Sequence, residues 1–244
     1  MTELPCDVDF IDLGSRLEQV YSRRIALRAS SLSDAWPLFV ATRNPGFNRY
    51  LLWPQPDTED EVLQRLHMIV DRSRTGRHCA VTASVRASGE FIGVFRFLPS
   101  SLGRDCVEMG IWMHDKFWHG RYGLELGRLC VSAAFSLAPR LAVLVGASFL
   151  ENRGSKALMS AVGMSPGRLV MRDTEKGPPV ALQEYTITRG EWQSHHRTPF
   201  QEFRAPLPRV VQHPLHGSQA PDRISIVVPT PDAARQPIAQ SGQV

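Results

Sequence analysis

The sequence predicts an α+β domain, a mixed sheet with helices packed on its faces. Three observations carry this. From Arg24 to Thr188, apolar stretches of period two alternate with stretches of helical period. Two period-two stretches, His78–Arg86 and Glu90–Leu98, are joined by Ala87-Ser88-Gly89, a hairpin signal. The elements run in the order β α α β β β α β α β, which places helices on both sides of a sheet.

Residues 1–22 read as a short acidic lead-in with one weak helix, Leu13–Tyr21. Arg24–Ala29 alternates like a strand, and Ser33 is placed to cap a helix from Asp34 to Arg43 that Asn44-Pro45 ends. Thr58 caps a second helix, Glu59–Arg74, whose first turn is acidic and whose Leu63, Leu66, Ile69 and Val70 share a face. After the hairpin come a strand at Asp105–Met113, a long apolar helix at Gly120–Ala138 and a buried strand at Leu141–Phe149. A helix over Asn152–Val162 stops at Gly163, a short strand is expected at Arg168–Arg172, and Val180–Thr188 is the last strand. Eight of the 18 prolines lie beyond Gln193, so residues 194–244 read as an extended Pro-rich tail with one strand at Ile224–Val228. The domain proper is then 23–193.

Composition narrows the function classes. At 244 residues the chain can bury a sizeable core, and 43% hydrophobic with 21% charged is ordinary for a globular protein. No apolar run approaches the roughly 20 residues a membrane span needs. The start carries Glu3, Asp7, Asp9 and Asp12, unlike a secretory signal, so no membrane association and a cytoplasmic location are expected. A net charge of +4 is spread along the chain without a Lys/Arg block, which argues against a nucleic-acid partner. Cys6, Cys79, Cys106 and Cys130 lack metal or redox spacing and read as small hydrophobes kept reduced. His195-His196 and His213-Pro-Leu-His216 have no Cys or acidic residue spaced beside them, so no metal is expected.

The chemistry concentrates at Glu108–Leu126. A strand ends near Met113, a loop holds Phe117 and Trp118, and a turn with Gly120 and Gly123 opens the long helix. The backbone N–H groups of His119–Leu124 lie at a helix start, where unpaired donors and the helix dipole favour a phosphate.

The spacing of the whole unit resembles the GNAT acetyltransferases, in particular the Rim-type branch that acetylates ribosomal-protein N-terminal alanines. Glu108-Met-Gly110-Ile-Trp112-Met113, a linker ending in Phe117, and Trp118-His-Gly-Arg-Tyr122-Gly123-Leu-Glu125 follow that branch without insertion or deletion. Further along, Leu141–Phe149, Asn152-Arg-Gly-Ser155 and a helix ending Val162-Gly163-Met164 fit the same pattern, as do Ile25-Ala-Leu27-Arg28, Asp34-Ala35, Arg49-Tyr50-Leu51 and Trp53-Pro54 before it and Tyr185–Trp192 after it.

The resemblance implies a GNAT-like, mostly antiparallel sheet and transfer of acetyl from acetyl-CoA to a primary amine, on a protein N-terminus or a small molecule. It leaves room for a homodimer. It implies that the backbone of Ile111 and Met113 binds the acetyl carbonyl and pantetheine arm, and that His119, Gly120, Arg121, Tyr122, Gly123 and Leu124 hold the phosphates. Arg121 stands where the family usually has glycine, so it either adds a positive charge to the phosphate site or crowds it. Glu108 is either the general base or a strand residue paired with a neighbouring arginine. Ser155 either holds and protonates the thiol or satisfies a first-turn N–H, and Asn152 is an N-cap that can also bind pantetheine. Many members place a proton-donating tyrosine where this chain has Met159. Arg121 and Met159 keep open a second function, an acyl-CoA-binding or interaction protein without turnover. Acceptor pockets in the family map to Asn44–Asp57, aromatic through Phe47, Tyr50 and Trp53, and to Thr174–Pro179.

Overall fold

The hairpin at Ala87-Ser88-Gly89 lies at the middle of the sheet in the computed structural model, which describes residues 5–195 and the pair Gln201–Glu202. The elements are α1 Phe10–Leu17, β1 Val20–Tyr21, β2 Ile25–Ala29, α2 Ala35–Thr42, α3 Pro45–Asn48, α4 Glu59–Arg74, β3 Cys79–Val85, β4 Phe91–Pro99 and β5 Cys106–Met113. They continue with α5 Tyr122–Leu137, β6 Val143–Phe149, α6 Arg153–Ala161, β7 Ser165–Thr174, β8 Gly177–Thr188, α7 Arg189–His195 and β9 Gln201–Glu202. Among the described residues they form one mixed sheet, order β7-β8-β6-β5-β4-β3-β2-β1-β9, in which only β5 and β6 pair in parallel.

Each face of the sheet has its own core. On one, α1 and α5 cover Leu27, Val81, Phe95, Phe97 and Val107. On the other, α2 and α4 cover Ala80, Phe91 and Val94. α4 begins where its residues dictate: Thr58 Oγ1 accepts from the Glu61 N–H, three acidic residues occupy the first turn, and Arg72 and Arg74 the last. Its buried stripe is Val62, Leu66 and Ile69. α2 starts from a fully buried carboxylate: Asp34 accepts from Arg28, from the Ser31 N–H and from Thr82 Oγ1, so Ser31 rather than Ser33 caps the turn.

Other element limits also move. The lead-in helix ends at Leu17, and Val20–Tyr21 instead pairs with β2 and β9. The strand expected at Arg168–Arg172 extends to Ser165–Thr174 because β8 is long enough to pair along its whole length. The closing strand stops at Thr188, where Thr188 Oγ1 accepts from the Glu191 N–H and Glu191 accepts from the Thr188 N–H, a reciprocal cap that starts α7. The expected strand at Ile224–Val228, and His213 and His216, lie outside the described residues.

α5 is closed at its C-terminal end by two arginines, chiefly Arg189. Arg189 donates to the carbonyls of Phe135 (2.7 Å), Ala138 (2.6 Å) and Leu141 (2.9 Å), while Arg16 reaches Leu137 (2.7 Å). The carbonyls of Phe135, Leu137 and Ala138 are among those a helix end leaves without helical partners, and a cation there also complements the dipole. Arg189→Ala should therefore destabilise the domain by about 1.5–3 kcal/mol. In a thermal melt that is a drop of roughly 2–4 °C per kcal/mol. A change under about 0.5 kcal/mol would mean that water replaces the guanidinium.

Candidate active site

β5 and β6 pair at Cys106↔Val143, Val107↔Leu144 and Glu108↔Val145, and there the pairing stops. β5 continues against β4 as far as Met113, and β6 continues against β8 as far as Phe149. The sheet therefore opens into a wedge between Gly110–Met113 and Gly146–Phe149. The His114 N–H donates to Ile92 (2.8 Å) and the Ser100 N–H to Cys106 (3.2 Å). Bonded pairs alternate along an antiparallel ladder, so the even-numbered residues of β5 turn their amides to β4. Met109, Ile111 and Met113 turn theirs toward β6, and beyond Glu108 that direction is the open wedge. The Met113 carbonyl is taken by Trp118 Nε1 (2.9 Å).

Both helices that follow the parallel strands start at this edge. Before α5 the chain makes a short 3-10 turn at Asp115–Phe117 and two left-handed residues, Gly120 (φ 70°) and Arg121 (φ 62°). No side chain caps α5, and its first N–H groups, Tyr122, Gly123 and Leu124, precede the first helical bond. The turn is held from behind. Arg24 donates through Nε to Glu125 (2.6 Å) and through Nη1 to the Gly120 carbonyl (2.9 Å), and its guanidinium stacks 4.1 Å from the Tyr122 ring centre. Burial alone would raise the Glu125 carboxyl, but hydrogen bonds from Ser22 and Arg24 and the Arg24 charge outweigh it and hold Glu125 below the usual range.

On the face opposite α5, Glu108, Gly110 and Trp112 point toward α2 and α4. The loop after α2 stands over this face: Phe47 and Trp53 meet Trp112 edge-on at 6.4 and 6.3 Å, and Tyr50 meets Phe149 across the wedge at 5.8 Å. The tip of the β7–β8 hairpin closes the far side, with Thr174 Oγ1 donating to Leu52 (2.8 Å) and the Lys176 ammonium to Asn48. A cavity of 160 Å³ lies between them, lined by Arg49, Leu51, Phe149, Thr174, Lys176 and Val180. The two segments named as acceptor walls, Asn44–Asp57 and Thr174–Pro179, are thus brought together.

Residues 24–165 match the family model for the acetyltransferase (GNAT) domain, more than half of the chain. The chain belongs to the GNAT acetyltransferase family. Its fold is shared with RimL, a ribosomal L7/L12 alpha-N-protein acetyltransferase solved with coenzyme A, at TM-score 0.57 and 16% identity over 68% of this chain and 95% of that one. It is also similar to Mycobacterium smegmatis RimJ in complex with CoA-disulfide (0.57, 16%, 71% and 90%). A third likeness is to the microcin C7 self-immunity acetyltransferase MccE, solved with acetyl-CoA and AMP (0.60, 12%, 68% and 93%). No curated protein matches the chain. Membership assigns the chemistry: an acetyl group passes from acetyl-CoA, the cosubstrate, to an amine.

Within this GNAT domain, Asn152 is an N-cap whose Oδ1 accepts from the Ser155 N–H (3.1 Å). Ser155 is half-buried, and its hydroxyl makes no hydrogen bond among the described residues, so it does not serve a helix N–H. Met159 is buried against Gly146, an apolar filling where many members have a proton donor. His119 is exposed. Glu108 is bonded by Arg172, yet burial, aided by Glu184, pushes its carboxyl up against the opposing pull of Arg172 and Arg96. Arg24, Arg168, Arg172 and Arg96 were not singled out from sequence. The pairing alternative for Glu108 and the position of Glu125 in the motif were the only pointers to their partners.

No helix among the described residues is long and apolar enough to cross a membrane. Nor do three His, Cys, Asp or Glu side chains gather as a metal site among them. The four cysteines are free, and burial pushes the Cys79 thiol to about 12 and the Cys106 thiol to about 11.

Arg121 occupies backbone space that suits glycine. A side chain there costs about 1–2 kcal/mol, against about 0.5–1 kcal/mol of extra chain entropy lost by glycine. Arg121→Gly should raise stability by about 0.5–1 kcal/mol, read as a rise of roughly 1–4 °C in melting temperature. A fall would show that the Arg121 side chain makes up the strain through contacts of its own.

Proposed function

We propose that the amine acceptor enters from the α2–α4 face and meets the acetyl group in the wedge, where Glu108 takes its proton. The observation that carries this is the opening of the sheet directly after Glu108, with the free amides of Ile111 and Met113 on its edge. Acetyl-CoA supplies an activated thioester. The Ile111 and Met113 N–H groups would orient its carbonyl and pantetheine arm, as preorganised donors do for developing negative charge. The uncapped start of α5, His119–Leu124, suits its phosphates, with Arg121 exposed there as an added cation. Asn152 holds the start of α6, and Ser155, its hydroxyl unengaged, faces the departing thiol as hydrogen-bond donor. A protein N-terminus or a small amine both fit a mouth walled by Tyr50, Trp53 and Trp112. A cytoplasmic location suits a chain whose cysteines are free and whose cosubstrate is acetyl-CoA.

Glu108→Gln keeps shape and removes the base. kcat/KM should fall by roughly 10²–10⁴ while acetyl-CoA still shifts the melting temperature. Unchanged turnover would make Glu108 a structural partner of Arg172.

The pH profile gives an independent measurement. Glu108 must be unprotonated to act, so its acid limb is lost as pH falls through a pKa raised above the ordinary carboxylate value of about 4.3. Arg172→Gln removes the cation that favours the charged form, so the limb should move to higher pH. In Glu108→Gln it should vanish. A limb unmoved by Arg172→Gln would assign the titration to another group.

A further inference from the structure

Arg96 stands on the acceptor face with its hydrogen-bond donors unused among the described residues. It lies on β4 directly opposite Gly110, between Val94 opposite Trp112 and Leu98 opposite Glu108. Residues opposite one another in an antiparallel pair share a face, so Arg96 flanks the reacting edge of β5 on the side from which the acceptor comes. It is half-buried and makes no hydrogen bond or ion pair among the described residues.

The carboxylates around it are engaged elsewhere. Glu108 is bonded by Arg172, Glu184 by Arg168 at 3.1 Å, and Glu175 by both Nη atoms of Arg65. Burial lowers the Arg96 guanidinium below its ordinary range, and the nearby Arg65 and Arg72 add to the effect. Glu108 is the one carboxylate whose charge acts on it, and that carboxylate is bonded by Arg172, so a half-buried guanidinium is left with donors to offer a ligand. Beside it there is room: a Cβ built on Gly110 would meet nothing within 4 Å. A guanidinium offers paired donors in a plane, which match a carboxylate or a phosphate.

We propose that the acceptor carries, a few atoms from its amine, an anionic group, carboxylate or phosphate, that docks on Arg96 over Gly110. This rests on the acetyl-transfer reading of the wedge. The amine then lies toward Glu108, two residues along β5 from Gly110, and the anion fixes which way round the acceptor sits. Only acceptors with the two groups close together satisfy both residues at once.

The test uses matched acceptor pairs with acetyl-CoA: glycine against glycinamide, phosphoethanolamine against ethanolamine, and the peptide Ala-Glu-Ala against Ala-Gln-Ala. Release of free thiol gives kcat/KM for each, on the full chain and on Arg96→Gln and Arg96→Lys. The expected result is a preference of roughly 10–100-fold for the anionic member of at least one pair. The pair that shows it identifies carboxylate, phosphate or an acidic peptide. Arg96→Gln should collapse that ratio, and Arg96→Lys should restore part of it. Equal rates within every pair, or a ratio unaltered in Arg96→Gln, would overturn the proposal and leave acetyl transfer standing. Should no acceptor release thiol, calorimetric binding of the same pairs to the CoA-saturated protein decides. Binding of an anionic member that Arg96→Gln abolishes supports the anion site and sinks the acetyl-transfer reading of the wedge, and binding of none overturns the anion site too.

Discussion

The parting of β5 from β6 after Glu108↔Val145 is the constraint on which the site depends. Each strand keeps a partner on its other side, β4 for β5 and β8 for β6, so the wedge can open without unravelling either half. What remains along its edges is a set of backbone amides with no strand to bond, which a ligand or water must satisfy. Because the two strands are parallel, the helices that follow both begin at the wedge, and the dipole of the 16-residue α5 points its positive end there. An antiparallel pair at this position would have sent one helix start to the opposite end of the sheet. The single parallel pair therefore brings unpaired amides and a helix N-terminus to the same place.

The turn before α5 is set before any ligand arrives. A glutamate in the first turn of α5 would oppose any anion at the helix start if its charge were free. Glu125 is instead neutralised by Arg24, and the same guanidinium holds the Gly120 carbonyl and stacks on Tyr122. Arg24 thus ties β2 to the loop and cancels an unfavourable charge in one contact. The left-handed backbone at Arg121 follows from that fixation: the loop is closed on both sides of it, and the residue adopts the conformation the loop requires rather than the one its side chain prefers.

Much of this was legible in the chain because it is local. The limits of α4 follow from Thr58 and its acidic first turn, and the hairpin from Ala87-Ser88-Gly89. Ile111 and Met113 were indicated by the family resemblance alone, since every strand offers such amides. What was not legible depends on strand order. Arg172 reaches Glu108 across 64 residues of sequence, from β7 at the edge of the sheet to β5, and nothing in the pattern at Ser165–Thr174 specifies that contact. The short strands Val20–Tyr21 and Gln201–Glu202 are too brief to show a period and are defined by pairing, the first with β2 and β9 and the second with β1. The reciprocal cap of Thr188 and Glu191 is a different case, a local signal of ordinary form hidden inside a segment that otherwise reads as strand.

The charges on the α2–α4 face of the sheet depend on the β7–β8 hairpin. Arg168 and Arg172 both stand on β7; the first bonds Glu184 on the neighbouring β8, and the second reaches past β8 and β6 to Glu108 on β5. Glu108 feels two opposed effects, burial that favours its neutral form and Arg172 that favours its charged one, and burial prevails. A carboxyl in that balance changes its proton affinity strongly when its cation moves away, because the desolvation remains while the attraction is lost. The hairpin tip is tied to the loop that carries Tyr50 and Trp53 through Thr174 and Lys176. The loop, the hairpin tip and the carboxylate are thus joined through one strand, since β7 carries both Thr174, bonded to Leu52, and Arg172, bonded to Glu108.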